Sequence, residues 1–132
     1  MLHKSLRDFL IDNEVIPNAS KRGKIEYGKI VQDTETPFIW YQRSSHNQDV
    51  NINGRMLLAT TEFDVEVVHT DPMETQTLAD SIRTLLHGYQ GAMGDDTVLA
   101  MFVTDQSDDY ENFNVMTDDG FYIVAFKVQI QT

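Results

Sequence analysis

The sequence has 132 residues, of which 41% are hydrophobic and 23% charged, a balance that supports one compact core and excludes intrinsic disorder. Its 21 acidic and 10 basic side chains give a formal net charge of −11, which excludes adhesion to phosphate backbones and to anionic membranes. The absence of cysteine excludes disulfides, thiolate metal sites and cysteine nucleophiles.

Lys21, Arg22 and Lys24 form the one short basic group, too small for a nucleic-acid footprint. No apolar run approaches the roughly 20 residues of a membrane-spanning helix. Lys4, Arg7, Asp8, Asp12 and Glu14 interrupt the first sixteen residues and break up any signal-peptide core, so the expected compartment is the cytoplasm in which the chain is made.

In chain order, Leu2, Leu6, Phe9 and Leu10 recur at helical spacing, with Asn13 as the end of an amphipathic helix. Residues 16–36 lose this period, although residues 24–31 fit a short strand with Ile25, Tyr27 and Ile30 turned inward. Pro37 then opens a strand over residues 36–43, rich in aromatic and β-branched side chains. Trp40 and Tyr41 fall on opposite faces of it, one for the core and one for the other side.

Residues 44–54 are polar and longer than ordinary hairpin turns, and are expected as a loop. Residues 57–68 alternate strictly, with Leu57, Ala59, Thr61, Phe63, Val65 and Val67 on one face and Glu62, Asp64 and Glu66 on the other. Asp71, Pro72 and Glu74 then supply an N-cap, a first-turn proline and a carboxylate placed to reach back to the cap's N–H. Leu78, Ile82, Leu85 and Tyr89 continue on one helical face, and Gly88 suits the closing left-handed turn.

Residues 97–103 are apolar on both faces, which predicts a central strand. Residues 105–114 predict an acidic turn region. Asp118, Asp119 and Gly120 then turn the chain into a last alternating strand, with Tyr122, Val124, Phe126, Val128 and Ile130 on its apolar face. The predicted fold is α+β: one domain over residues 1–132, with a mostly antiparallel sheet of about four strands and two helices on one face.

No catalytic or cofactor spacing emerges. His3, His46, His69 and His87 are scattered without a zinc-ligand pattern, and His87 is accounted for by its place at a helix end, against the dipole. Asp105, Asp108, Asp109 and Glu111 lack the spacing and glycine of a calcium loop. Ser44, Ser45, His46 and Asp49 lack a nucleophile elbow, and Gly88, Gly91 and Gly94 lack the strand-to-helix setting of a dinucleotide site. The expectation is a protein that is not an enzyme and takes neither cofactor nor metal.

The ordered set of Pro37 to Arg43, the loop around Gly54, the strand ending in Phe63 to Val67, the Asp71 cap with Leu78, Ala79, Ile82 and Leu85, and the acidic stretch Asp108 to Glu111 before an aliphatic strand resembles the tail-completion, or tail terminator, proteins of long-tailed phages. Residues 19–32 are where this chain departs from the pattern. The resemblance implies an α+β subunit of the virion tail that forms a hexameric ring on the head-proximal end of the tail tube. It also implies that the ring stops tube elongation and joins the head–tail connector, with the tube protein and connector as partners.

On that reading the stripe Glu62, Asp64 and Glu66 lines a lumen through which DNA passes without being held, the alternative being a merely solvated face. Ser45, His46, Asn47, Gln48, Asp49, Asn51 and Asn53 form the expected partner-interface loop, with residues 105–111 as a second contact. A connector or adaptor on the portal side of the joint, or a small acidic ligand-binding domain whose site forms only in three dimensions, are the competing functions.

Overall fold

The computed structural model describes residues 1–16, 24–28, 37–50, 56–114 and 119–132, with backbone alone at 47–50, 56–58, 111–114 and 119. The elements are α1 (Leu2–Asp12), β1 (Ile25–Tyr27), β2 (Phe38–Val50), β3 (Met56–His69), α2 (Pro72–Leu86), β4 (Gly91–Met93), β5 (Asp96–Val98), β6 (Ala100–Asn114) and β7 (Asp119–Gln131). Five strands form one sheet in the order β1-β2-β3-β7-β6, and β4 and β5 form a separate hairpin. Every pairing in the large sheet is antiparallel except the short β1–β2 pair. The α+β expectation holds, with five strands in place of about four.

The period-2 patterns of β3 and β7 decide which face is covered. Phe63, Val65 and Val67 of β3 and Val124, Phe126, Val128 and Ile130 of β7 are buried together. Leu6 and Leu10 of α1, and Ala79, Ile82 and Leu86 of α2, close over them. Burial of each such aliphatic side chain contributes about 1.5–3 kcal/mol. The buried stripe of α2 thus runs through Thr75, Ala79, Ile82 and Leu86, while Leu78, Leu85 and Tyr89 flank it half-buried.

Local chemistry sets the ends of α2. Asp71 accepts hydrogen bonds from the N–H groups of Met73 and Glu74 at 2.8 and 3.0 Å, satisfying two donors of the first turn. Glu74 does not close a capping box; its carboxylate reaches further back, to His69 Nε2 at 2.7 Å. His69 Nδ1 accepts the Thr70 N–H at 2.8 Å, so Nε2 carries the proton and donates it to Glu74. Gly88, at φ +81°, makes the expected left-handed exit.

Tyr41 enters the core and Trp40 stands on the other face, resolving their expected split. The Tyr41 hydroxyl donates to the carbonyl of His3 on α1. Ser5 of α1 donates to Asp96 at 2.7 Å, tying the first helix to the β4–β5 hairpin. Gly94 turns that hairpin at φ +59°, and a Cβ there would lie 2.6 Å from Ser5 Oγ, so only glycine permits this approach.

Four expectations are corrected. β2 continues through residues 44–50 as a strand, because its backbone pairs with β3 from Ser45 opposite Glu62 to Val50 opposite Met56. The acidic stretch 105–114 belongs to β6 and is paired with β7, after a bulge between Thr104 and Ser107 where Asp105 takes φ +53°. Residues 97–103 are two strands, not one: Leu99 separates β5 from β6 and is 53% exposed. β6 is an edge strand, its apolar look arising because one face meets the core while α2 covers part of its edge. Ile30, Asn51, Asn53, Gly54 and Asp118 lie outside the described residues, as does most of residues 19–32.

Candidate functional site

Among the described residues, the sheet has one face under the helices and one without them. Opposite-face alternation puts Glu62, Asp64 and Glu66 of β3 on the helix-free face, as the sequence pattern requires. The stripe is not bare. Lys127 of β7, opposite Asp64, places Nζ 3.7 Å from Glu62 and 3.9 Å from Asp64. Glu66 accepts the indole N–H of Trp40 at 2.6 Å. Among the described residues, Lys127 is the ammonium within reach of Glu62 and Asp64, and with three carboxylates to that one cation the stripe keeps an excess of negative charge. Lys127 was not singled out in the sequence, although its place in the β7 alternation marked its face.

Beside the stripe, a trough of about 600 Å³ is lined by Phe38, Trp40, Val68, Phe121, Ile123 and Ala125, with Glu66, Ser107 and Asp109. Its lining is mostly aromatic and aliphatic. Glu66 is engaged by Trp40, and Asp109 accepts the Tyr110 N–H at 2.7 Å. Such a surface offers packing area to another protein, not a set of converging acids and bases.

The residues expected as an interface loop are divided by the strand. Ser45 donates toward Glu62 at 3.5 Å, and His46 Nδ1 sits 2.6 Å from the Thr61 hydroxyl. As successive strand residues they face opposite sides of the sheet, which separates the serine and histidine that a hydrolytic reading would join. Asn47, Gln48 and Asp49 pair through their backbones with Thr60, Ala59 and Leu58. Of the second expected contact, Asp108 accepts from Gln76 of α2 at 2.8 Å, and Gln106 accepts from Arg83 at 3.0 Å. Among the described residues, no three His, Asp or Glu gather within reach of a shared metal ion. Among them too, no helix is long and apolar enough to cross a membrane.

His87 stands at the end of α2 against β6. Its Nδ1 accepts the Val103 N–H at 3.1 Å, and its ring lies edge-on to Phe102, 6.1 Å between centroids. Gly88 donates to the Met101 carbonyl at 2.7 Å, so the end of α2 covers the first part of the β6 edge.

Both long hairpins overhang the sheet, in opposite directions. Pairing of β3 with β7 runs from Thr60–Gln131 to His69–Tyr122. Beyond the first limit β2 and β3 stay paired to Val50–Met56, and beyond the second β6 and β7 stay paired to Asn114–Asp119. Sequence reading missed these arms because their pairing continues past the alternation that marks the core.

No family model and no curated protein matches this sequence. The fold itself is shared: a chain of a solved structure described as "Virion of native gene transfer agent (GTA) particle" superposes with a TM-score of 0.54 at 9% identity. The superposition covers 98% of this chain and 91% of that one. The chain is thus an α+β protein, in an architecture also present in that particle.

Proposed function

We propose that this chain is a structural subunit of a phage-like particle, and within it the tail-completion subunit: a ring that caps the head-proximal end of the tail tube, halts its growth and offers the surface to which the head connector joins. It performs no catalysis in this role. The observation that carries the reading is the pair of arms overhanging the sheet at opposite ends. A ring placed between two different assemblies needs two different faces, and these arms supply one to each. Full-length similarity of fold to a chain of a gene transfer agent virion supports the setting.

The helix-free face fits the channel side of such a ring. Glu62, Asp64 and Glu66 outnumber the one ammonium of Lys127, and residual negative charge lets DNA pass by repulsion instead of holding it. Six copies, contact with the tube protein through one arm and contact with the connector through the other complete the proposal.

The test is deletion of the gene in cells that produce the particle. Tails of irregular, excessive length beside filled, unattached heads are expected. Tails of normal length with unattached heads would instead place the subunit on the connector side. Normal particles would overturn an assembly role.

A further inference from the structure

We propose that the two edges of the large sheet are complementary halves of one head-to-tail interface between copies of this chain, the β6 edge of one subunit seating against the β2 edge of the next. The inference rests on the assembly reading above and names the surface through which the ring closes. A head-to-tail contact needs two unlike patches on opposite sides of a subunit, and only such a contact generates rings larger than a dimer.

The β6 edge presents an apolar step followed by an acidic run. Leu99 is 53% exposed and Phe102 40%, large apolar side chains left open at a sheet margin. Asp105, Asp108 and Asp109 follow, and no Lys or Arg occurs between Ala100 and Asn114. Because His87 and Gly88 occupy the backbone at Val103 and Met101, contact at this step is made by side chains.

The β2 edge carries no such acidic excess. β1 pairs with β2 only from Ile39 to Tyr41, and among the described residues no strand pairs with that side of β2 from Gln42 onward. From Gln42 to Val50 the strand carries one cation, the exposed Arg43, and one carboxylate, Asp49. An open strand edge is a template for another chain unless something covers it.

Direction and charge select the occupant. Three successive antiparallel pairings make β6 run opposite to β2. In a ring whose axis lies near the strand direction, β6 of one copy meets β2 of the next as an antiparallel neighbour. Pairing β6 with β6 sets aspartates against aspartates, so charge disfavours that symmetric dimer and favours seating the acidic edge against the β2 edge, which carries Arg43 and no acidic excess.

The experiment uses two full-length variants and measures solution mass by light scattering. Leu99→Glu with Phe102→Glu blocks the β6 edge; Arg43→Glu with Ser44→Glu blocks the β2 edge. All four positions are exposed, and thermal unfolding checks that each variant remains folded. The wild-type chain is expected as a closed oligomer, each variant alone as a monomer, and their equimolar mixture as a dimer with nothing larger, since one sound junction remains. A folded variant that keeps the wild-type mass, or a mixture that stays monomeric, would overturn the interface alone. A wild-type chain that is monomeric at every concentration would remove the assembly reading and the interface with it.

Discussion

Trp40 and Glu66 stand opposite each other in the β2–β3 register, and the indole N–H meets the carboxylate at 2.6 Å on the helix-free face. A hydrogen bond to a charged acceptor in a partly buried setting is worth about 1.5–3 kcal/mol. Trp40→Phe keeps an aromatic ring and removes the donor, so an unfolding free energy lower by about 1–2 kcal/mol is expected in urea titrations followed by circular dichroism. Glu66→Gln, which retains an acceptor oxygen, should cost less. Equal midpoints for wild type and Trp40→Phe would show that the bond adds nothing.

Burial pushes the Tyr41 phenol well above its ordinary value of 10, the nearby charge of Arg7 offsetting only part of the shift. A group whose folded value is raised contributes stability that is complete below its unfolded value and is lost as pH rises above it. Stability should therefore fall between pH 10 and 11. Tyr41→Phe forfeits the bond to the His3 carbonyl, at about 1 kcal/mol near neutral pH, and should flatten the alkaline decline. Urea midpoints across pH 8–11 measure both effects; an unchanged alkaline slope would contradict the assignment to Tyr41.

Asp71 caps α2 through two backbone N–H groups. Asp71→Ala should lower stability by about 1 kcal/mol, and Asp71→Asn by only a few tenths, because asparagine caps nearly as well. Differential scanning calorimetry of the three proteins ranks them, and a ranking with asparagine as poor as alanine would refute a capping role.

Among the described residues Lys127 is the one cation paired with Glu62 and Asp64, and at 42% exposure its separate ion pairs contribute little. Reversing its sign is a different matter. Lys127→Glu adds a carboxylate beside Glu62, Asp64 and Glu66, and a loss of about 1 kcal/mol in low salt, largely recovered at 1 M, is expected from repulsion that salt screens. A loss insensitive to salt would point to packing of the lysine stem instead.

Where side chains alternate over a buried face, the strands were legible: β3 and β7 follow from their period, and α2 follows from Asp71, Pro72 and the spacing around Ile82. The ends of β2 and β6 were not. Residues 45–49 and 105–114 are polar or acidic, and they are strands only because backbone groups pair with a neighbour distant in sequence, a condition that leaves no mark on side-chain type. The edge position of β6 was hidden for a related reason, since the end of α2 shields Met101 and Val103 as a neighbouring strand would. Of the candidate site, the acidic stripe could be read from alternation, while its compensation by Lys127 and Trp40 depends on cross-strand register that one strand alone does not specify.

β7, the last strand in chain order, lies between β3 and β6, not at a margin. Until residues 119–131 exist, β3 and β6 have no common neighbour, and the apolar faces of α1 and α2 have no complete floor to rest on. Folding of the sheet therefore requires residues 119–131, with long-range pairing as the closing step. A chain that lacks residues 119–131 leaves β6 without the strand it pairs with, and β3 without its second neighbour.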